Sequence, residues 1–261
     1  MNDYLSLSKK NIFYSEAQIL FCQRGIALYL FFHYYSILQT SFITFRPIDI
    51  TQLNIILALT CLLFLNLFTR FFAFLCWIFC TIFLFNNTYL YGINHDYVGW
   101  LLLANAAFRV TKDKPFMPAI LYNGAWIVLG IGYFASGYNK LLLTDYWQNG
   151  NALKSLYISS PVFINLHEFE NNSIIEAVLK FFTWTFMYAE ILFLPALINK
   201  YSRFVVYFVM LCGHFGIATT TNMTEVSISI ILFHLFVFDG RWLKKSYWTS
   251  SVKASDIKNV A

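Results

Sequence analysis

The sequence predicts an all-α protein, a polytopic bundle of about eight transmembrane helices. Hydrophobic residues make up 59% of the 261 positions and charged residues only 12%, and the mean hydropathy is +0.59. A soluble domain is about half apolar and about a quarter charged. Runs such as 55–68 and 71–85 carry no charged residue, which marks spanning helices, and they lack the strict alternation of barrel strands. The basic residues are also unevenly spread, in the pattern that orients helices in a bilayer.

A span needs about 20 mostly apolar residues. The expected spans are 18–40, 52–69, 71–87, 89–110, 118–143, 175–199, 204–221 and 225–238, the second, third and eighth being short. Asp49 and Thr51 supply start signals for the second, and Pro115 with Pro118 interrupts the chain before the fifth. The polar segment 1–17 has no apolar stretch ending in a small-residue cleavage site, so the first helix is expected to act as its own insertion signal. The helical membrane domain then covers 18–239, with a basic cytoplasmic tail over 240–261.

Charge sets the expected orientation. With the N-terminus cytoplasmic, Lys9, Lys10, Arg70, Arg109, Lys112, Lys114, Lys200, Arg203 and the basic residues of the tail lie inside. Only Arg46 and Lys154 lie outside, so the number of spans is even and both termini are cytoplasmic. The external segment, about 144–174, holds Trp147, Pro161, His167, Glu168 and Glu170 and is expected to form an amphipathic cap on the outer leaflet. The net charge of +5 is therefore a topology signal, and no phosphate-cradling loop or basic recognition module points to nucleic acid. Cys22, Cys61, Cys76, Cys80 and Cys212 fall in apolar runs without metal-ligand spacing, and read as buried, inert thiols. No metal is expected.

Ionisable groups inside hydrocarbon are costly and mark function by default. Four stand out: His95 in Asn94-His95-Asp96, Lys140 in Ser136-Gly137-Tyr138-Asn139-Lys140-Leu141, Glu190 in the sixth span and His214 in the seventh. Each has a plainer reading. Lys140 is either a lysine snorkelling to the interface beside Asp145 and Trp147 or a desolvated amine able to act as a base. Gly130, Gly132 and Gly137 leave room on its helix for close packing or a ligand. Glu190 is either a counter-charge for that lysine or a site residue, and Pro195 is expected to open its helix locally near Ile191. His214 reads as an interhelical hydrogen-bond partner or a site residue, Asn94 and Asp96 as site residues or helix caps, and His33 and His234 as packing residues.

These segments resemble the vitamin K-dependent gamma-carboxylase superfamily, in its bacterial branch of horizontally transferred transmembrane (HTTM) domain proteins. The likeness runs through Asn94-His95-Asp96-Tyr97, through Ser136 to Leu141 with Trp147 and Gly150, through Glu190 to Pro195, and through Gly213-His214-Phe215 before the aromatic run 233–238. The fifth helix alone is also similar to DoxX-type membrane proteins. The resemblance implies chemistry on a lipid-soluble quinol in a bacterial inner membrane. Lys140 would be the base and His95 its assistant, with Asn94, Gly137, Glu190 and His214 around the cofactor. Three departures count: residue 139 is Asn where the family has a second lysine, the interval from Lys140 to Trp147 is longer, and only residues 240–261 follow the last expected span where the carboxylases carry a large peptide-binding part. The expected catalyst is thus carboxylase-like or oxygenase-like, with a secreted peptide as partner or a second subunit presenting substrate. Two other classes stay open, a proton-coupled transporter built on Lys140, Glu190 and His214, and a non-catalytic partner or immunity subunit of a peptide system.

Overall fold

A computed structural model describes residues 11–13, 16–41, 47–84, 95–107, 109–111, 114–159, 172–221, 223–243 and 248. Helices dominate: α1 (Glu16–Ser41), α2 (Pro47–Phe64), α3 (Thr69–Ile78) running into a π-helical turn (Phe79–Leu84), α4 (His95–Ala107), α5 (Ala119–Leu143), α6 (Asp145–Gln148), α7 (Ala152–Ser159), α8 (Ser173–Ala196), α9 (Lys200–Thr220) and α10 (Thr224–Val237). Residues 120–143, 173–196 and 200–220 form three helices long and apolar enough to cross a membrane, and 50–64, 69–82, 97–107 and 224–237 are shorter apolar helices. This is the signature of a membrane protein. Large apolar side chains such as Phe21, Phe32, Phe71, Ile131, Phe181 and Leu192 stand exposed around the outside, as a lipid solvent favours.

Helix ends explain most differences from the expected spans. Proline is favoured in the first helical turn, where its missing N–H costs nothing, so α2 starts at Pro47 and not after Asp49. Asn66 and Phe68 adopt left-handed backbone, with φ of 59° and 42°, so α2 stops at Phe64 and the chain turns before α3. The fourth helix is shorter than 89–110, because the chain leaves α4 at Ala107 and enters β2 (Arg109–Thr111). β2 pairs antiparallel with β3 (Lys114–Pro118), and β3 with β1 (Asn11–Phe13), whose Asn11 lies opposite Pro118. The predominantly helical fold therefore includes one small three-stranded sheet, order β1-β3-β2, which the apolar pattern did not reveal. Pro195 sits in the last turn of α8, which continues to Ala196. Asn199 caps α9 by accepting the Tyr201 N–H at 2.8 Å.

The core gathers side chains from α1, α2, α4, α5, α8, α9 and α10, with Tyr34, Tyr207, Phe193, Phe233 and Phe236 fully enclosed. α5 and α8 run antiparallel in close contact. A Cβ added to Gly137 would lie 2.8 Å from the Glu190 Cβ and 2.9 Å from the Ile191 backbone nitrogen, and the Tyr133 and Phe193 rings meet at 4.7 Å. In this register the end of α5 falls near Trp184, and the stretch from Ser173 to Trp184 carries α8 roughly 16 Å beyond it at 1.5 Å per residue. The chain after α5 folds back to cover that stretch. Trp184 Nε1 donates to the Gln148 carbonyl at 3.1 Å, and the Leu153 N–H donates to Thr183 Oγ1 at 3.3 Å. The expected cap on the leaflet surface is, over 144–159, a pair of short helices packed against α8. Residues 160–171, with Pro161, His167, Glu168 and Glu170, lie outside the described residues.

Because backbone stands where a Gly137 side chain would go, Gly137→Leu is expected to destabilise the protein by about 1–3 kcal/mol or more through forced separation of α5 and α8. Gly216→Ala, where the nearest side-chain atom is 4.0 Å from the added Cβ, is expected to have a much smaller effect. Thermal unfolding of both variants in the same detergent checks the contrast.

Candidate functional site

Four helices converge on one buried seam. On α5, Tyr133, Gly137 and Lys140 follow the i, i+4, i+7 spacing that places them on one face. On α8, Phe186, Glu190 and Phe193 do the same. α9 contributes His214 and α10 contributes His234, both buried.

At the end of α5, Lys140 Nζ donates to Glu190 Oε1 at 2.5 Å. The glutamate side chain is 3% exposed and the lysine side chain 21%. Two aromatic faces complete the ammonium's surroundings, with Nζ 4.3 Å from the Trp147 ring centre and 5.7 Å from that of Phe186. Such faces attract a cation through the ring quadrupole. Lys140 is thus held by a specific counter-charge and two rings, which is more than the snorkelling reading supplies. The Ser136 hydroxyl stands beside the same carboxylate.

The break after α5 is what brings Trp147 over the lysine. Thr144 Oγ1 donates to the Lys140 carbonyl at 2.8 Å, and Gln148 Nε2 donates to the Leu141 carbonyl at 2.7 Å. Side chains thereby satisfy carbonyls that a helix end leaves open. Gly150 then turns the chain with φ of +75°, a left-handed conformation that suits glycine, and packs against Lys180 and Trp184 of α8.

Deeper in the seam, His234 Nδ1 lies 3.0 Å from the Ile230 carbonyl and Nε2 lies 3.4 Å from the Tyr133 hydroxyl. A carbonyl only accepts, so Nδ1 carries the proton and Tyr133 donates to Nε2. The Tyr207 hydroxyl donates to the His234 carbonyl at 2.9 Å. His214 is different: its ring contacts Tyr133 at 5.9 Å, Phe186 at 5.6 Å and His234 at 6.2 Å, yet among the described residues neither ring nitrogen has a hydrogen-bond partner, and neither has Glu190 Oε2. The expectation that His214 bridges helices through a hydrogen bond is therefore not what the structure shows. His33 pairs with Glu225 at 2.9 Å, linking α1 to α10.

Of the residues singled out in the sequence, Lys140, Gly137, Glu190 and His214 come together. Asn94 lies outside the described residues. His95 opens α4, but its side chain and that of Asp96 are also outside them. Two residues on, Tyr97 abuts α5, since a Cβ on Gly132 would collide with its hydroxyl, and its ring meets Phe233 at 5.6 Å. Tyr133, Trp147, Phe186 and His234 also build the seam. The helical spacing of Tyr133 with Lys140, and of Phe186 with Glu190, was the signal that could have found two of them. Among the described residues no group of three or more His, Cys, Asp or Glu side chains is placed to hold a metal. The cysteines are not all buried, for Cys61 and Cys212 face outward.

The fold and seam define a helical membrane protein with a charged pair inside its apolar bundle. No known family, curated protein or solved structure matches the chain.

Removing one member of a buried ion pair leaves the other charge uncompensated, at a cost of about 3–5 kcal/mol. Glu190→Leu is accordingly expected to destabilise the protein by an amount in that range, while adding Lys140→Met to it recovers most of the loss. Denaturation of the single and double variants, taken as a double-mutant cycle, measures the coupling.

Proposed function

We propose that this protein is a multi-pass membrane enzyme that uses Lys140 as a base toward a lipid-soluble quinol. The observation that carries this reading is the Lys140–Glu190 pair, enclosed among apolar helices and faced by Trp147 and Phe186. The resemblance to the carboxylase superfamily supports it, with His95 as the assisting group and Asn94, Gly137, Glu190 and His214 around the cofactor. The reading includes eight spans, both termini in the cytoplasm and a bacterial plasma membrane, in keeping with the distribution of Lys and Arg. Its substrate is a secreted peptide or one presented by a second subunit.

The residues present suit such a ring. Lys140 remains accessible enough to be reached, two aromatic faces flank it, and buried acceptor and donor atoms stand behind it unmatched. A bound quinol would be held by Lys140, Trp147 and Phe186 and would supply an acidic, oxidisable hydroxyl. Transfer of the lysine proton to Glu190 Oε1 along their hydrogen bond converts two opposite charges into a neutral amine and a neutral acid. The net charge of the pair does not change, so the step adds no charge to a low-dielectric interior. The neutral amine is then competent to take a proton from an acid beside it. Trp147 and Phe186 cover two sides of the ammonium, which lowers the local dielectric and strengthens its polar interactions.

A second reading, a proton relay coupled to transport, is favoured by one feature: Lys140 and Glu190 pair directly and His214, from a third helix, contacts the same Phe186 ring that faces Lys140. It predicts pH-driven flux in proteoliposomes that Glu190→Gln abolishes.

The enzyme reading is tested by titrating the detergent-purified protein with 2-methyl-1,4-naphthoquinone and following tryptophan fluorescence. Saturable quenching is expected, with its amplitude cut in Trp147→Phe and its apparent affinity lowered about tenfold in Lys140→Ala, the loss of one good polar contact. Unsaturable quenching, identical in all three proteins, would remove the basis for a quinol site here.

A further inference from the structure

The orphaned atoms of the seam carry one more step. Buried polar groups in native proteins are almost always hydrogen-bonded, and an unmatched one costs about 1–3 kcal/mol. Among the described residues Glu190 Oε2 and both nitrogens of His214 lack a partner together, the Ser136 hydroxyl standing beside the same carboxylate. They do so within one neighbourhood: Phe186, one turn from Glu190 on α8, contacts the His214 ring at 5.6 Å, and Tyr133, one turn from Gly137 on α5, contacts it at 5.9 Å.

We infer that Glu190 and His214 form a subsite for a neutral hydroxyl group that bridges the carboxylate and the imidazole. The chemistry follows from the atoms left over. An ionised carboxylate oxygen only accepts, so the bridging group must donate to Glu190 Oε2. A neutral imidazole offers one N–H and one acceptor nitrogen, so one ring nitrogen can donate to the oxygen of that same group. A hydroxyl meets both demands. A cation would crowd the Lys140 ammonium, and an anion would face the carboxylate. The walls of Phe186 and Tyr133 admit nothing charged without a further partner.

The hydroxyl has two sources, a bound water or the hydroxyl of a ligand such as a hydroquinone. The ligand arm rests on the quinol reading above, and the water arm does not. The remaining ring edge of His214 is turned among Tyr133, Phe186 and His234. His234 already donates its N–H to Ile230 and accepts from Tyr133, so it has no capacity left for His214. Among the described residues no side chain has capacity left for His214, so the bridging group supplies its partner.

The test is ¹⁵N NMR of the full chain in detergent micelles with histidine-selective labelling, with His214→Gln used to assign the His214 signals. In the ligand-free protein the donor nitrogen of His214 is expected at a hydrogen-bonded shift, and Glu190→Gln is expected to move it. If 1,4-dihydroxynaphthalene then displaces that signal while 1,4-dimethoxynaphthalene does not, the hydroxyl comes from the ligand. If the signal is hydrogen-bonded, sensitive to Glu190→Gln and indifferent to both probes, the hydroxyl is water; the subsite then stands while the quinol arm falls. Shifts typical of an imidazole without partners, unaltered by Glu190→Gln and by either probe, would overturn the subsite. Should Glu190→Gln fail to fold, Ser136→Ala in the same spectrum gives a milder perturbation beside the carboxylate, expected to shift His214 measurably and, by leaving it unmoved, to count against the bridge.

Discussion

A lysine and a glutamate can meet inside an apolar bundle only if their helices approach closely enough for the two side chains to span the gap, and here that approach is made at Gly137. The absence of a Cβ lets the backbone of α8 come against α5 beside Glu190 and Ile191. Lys140, one turn further along, then reaches the carboxylate directly. Burying either charge alone would cost several kcal/mol, so the close contact and the ion pair depend on each other. The α5–α8 register follows from the same point, since Tyr133 and Phe193 meet one turn below.

That register leaves α8 projecting past α5, and the fold resolves the mismatch by breaking the partner helix. Thr144 and Gln148 tie off the carbonyls of α5, Gly150 reverses the chain, and α6 with α7 continue along the exposed part of α8. Irregular backbone is tolerated at membrane depth only where protein buries it or a cavity receives it. Here it delivers Trp147 to the lysine. The interruption therefore serves the site: an unbroken α5 would carry residue 147 onward along the helix axis and leave the ammonium open on one side.

Much of this was legible in the sequence. The long apolar runs located the helices, and charge inside those runs singled out Lys140, Glu190 and His214, because hydrocarbon tolerates such groups only when something compensates them. The glycines of α5 marked the close contact. Other features were hidden for physical reasons. The three-stranded sheet is made of segments of three to five residues, too short to impose a period. The turn at Asn66 and Phe68 places both in left-handed backbone; asparagine tolerates that conformation, but nothing local announces it at a phenylalanine. His234 looked like packing because its hydrogen bonds run to a backbone carbonyl and to a tyrosine on another helix, and neither partner is near it in sequence except Ile230. Trp147 read as part of the external cap, since its approach to Lys140 depends on a chain reversal at Gly150.

A base working inside the bundle requires Lys140 and its aromatic cover to lie within the apolar thickness and not at its rim. Depth-dependent quenching of Trp147 measures this directly. The wild type and Trp147→Phe would be reconstituted in lipids brominated near the headgroup or near the bilayer centre, and their difference would isolate the Trp147 signal. Stronger quenching by the deep bromines is expected. Quenching dominated by the shallow bromines would place Trp147 and the lysine beneath it at the interface, and would contradict a base inside the bundle.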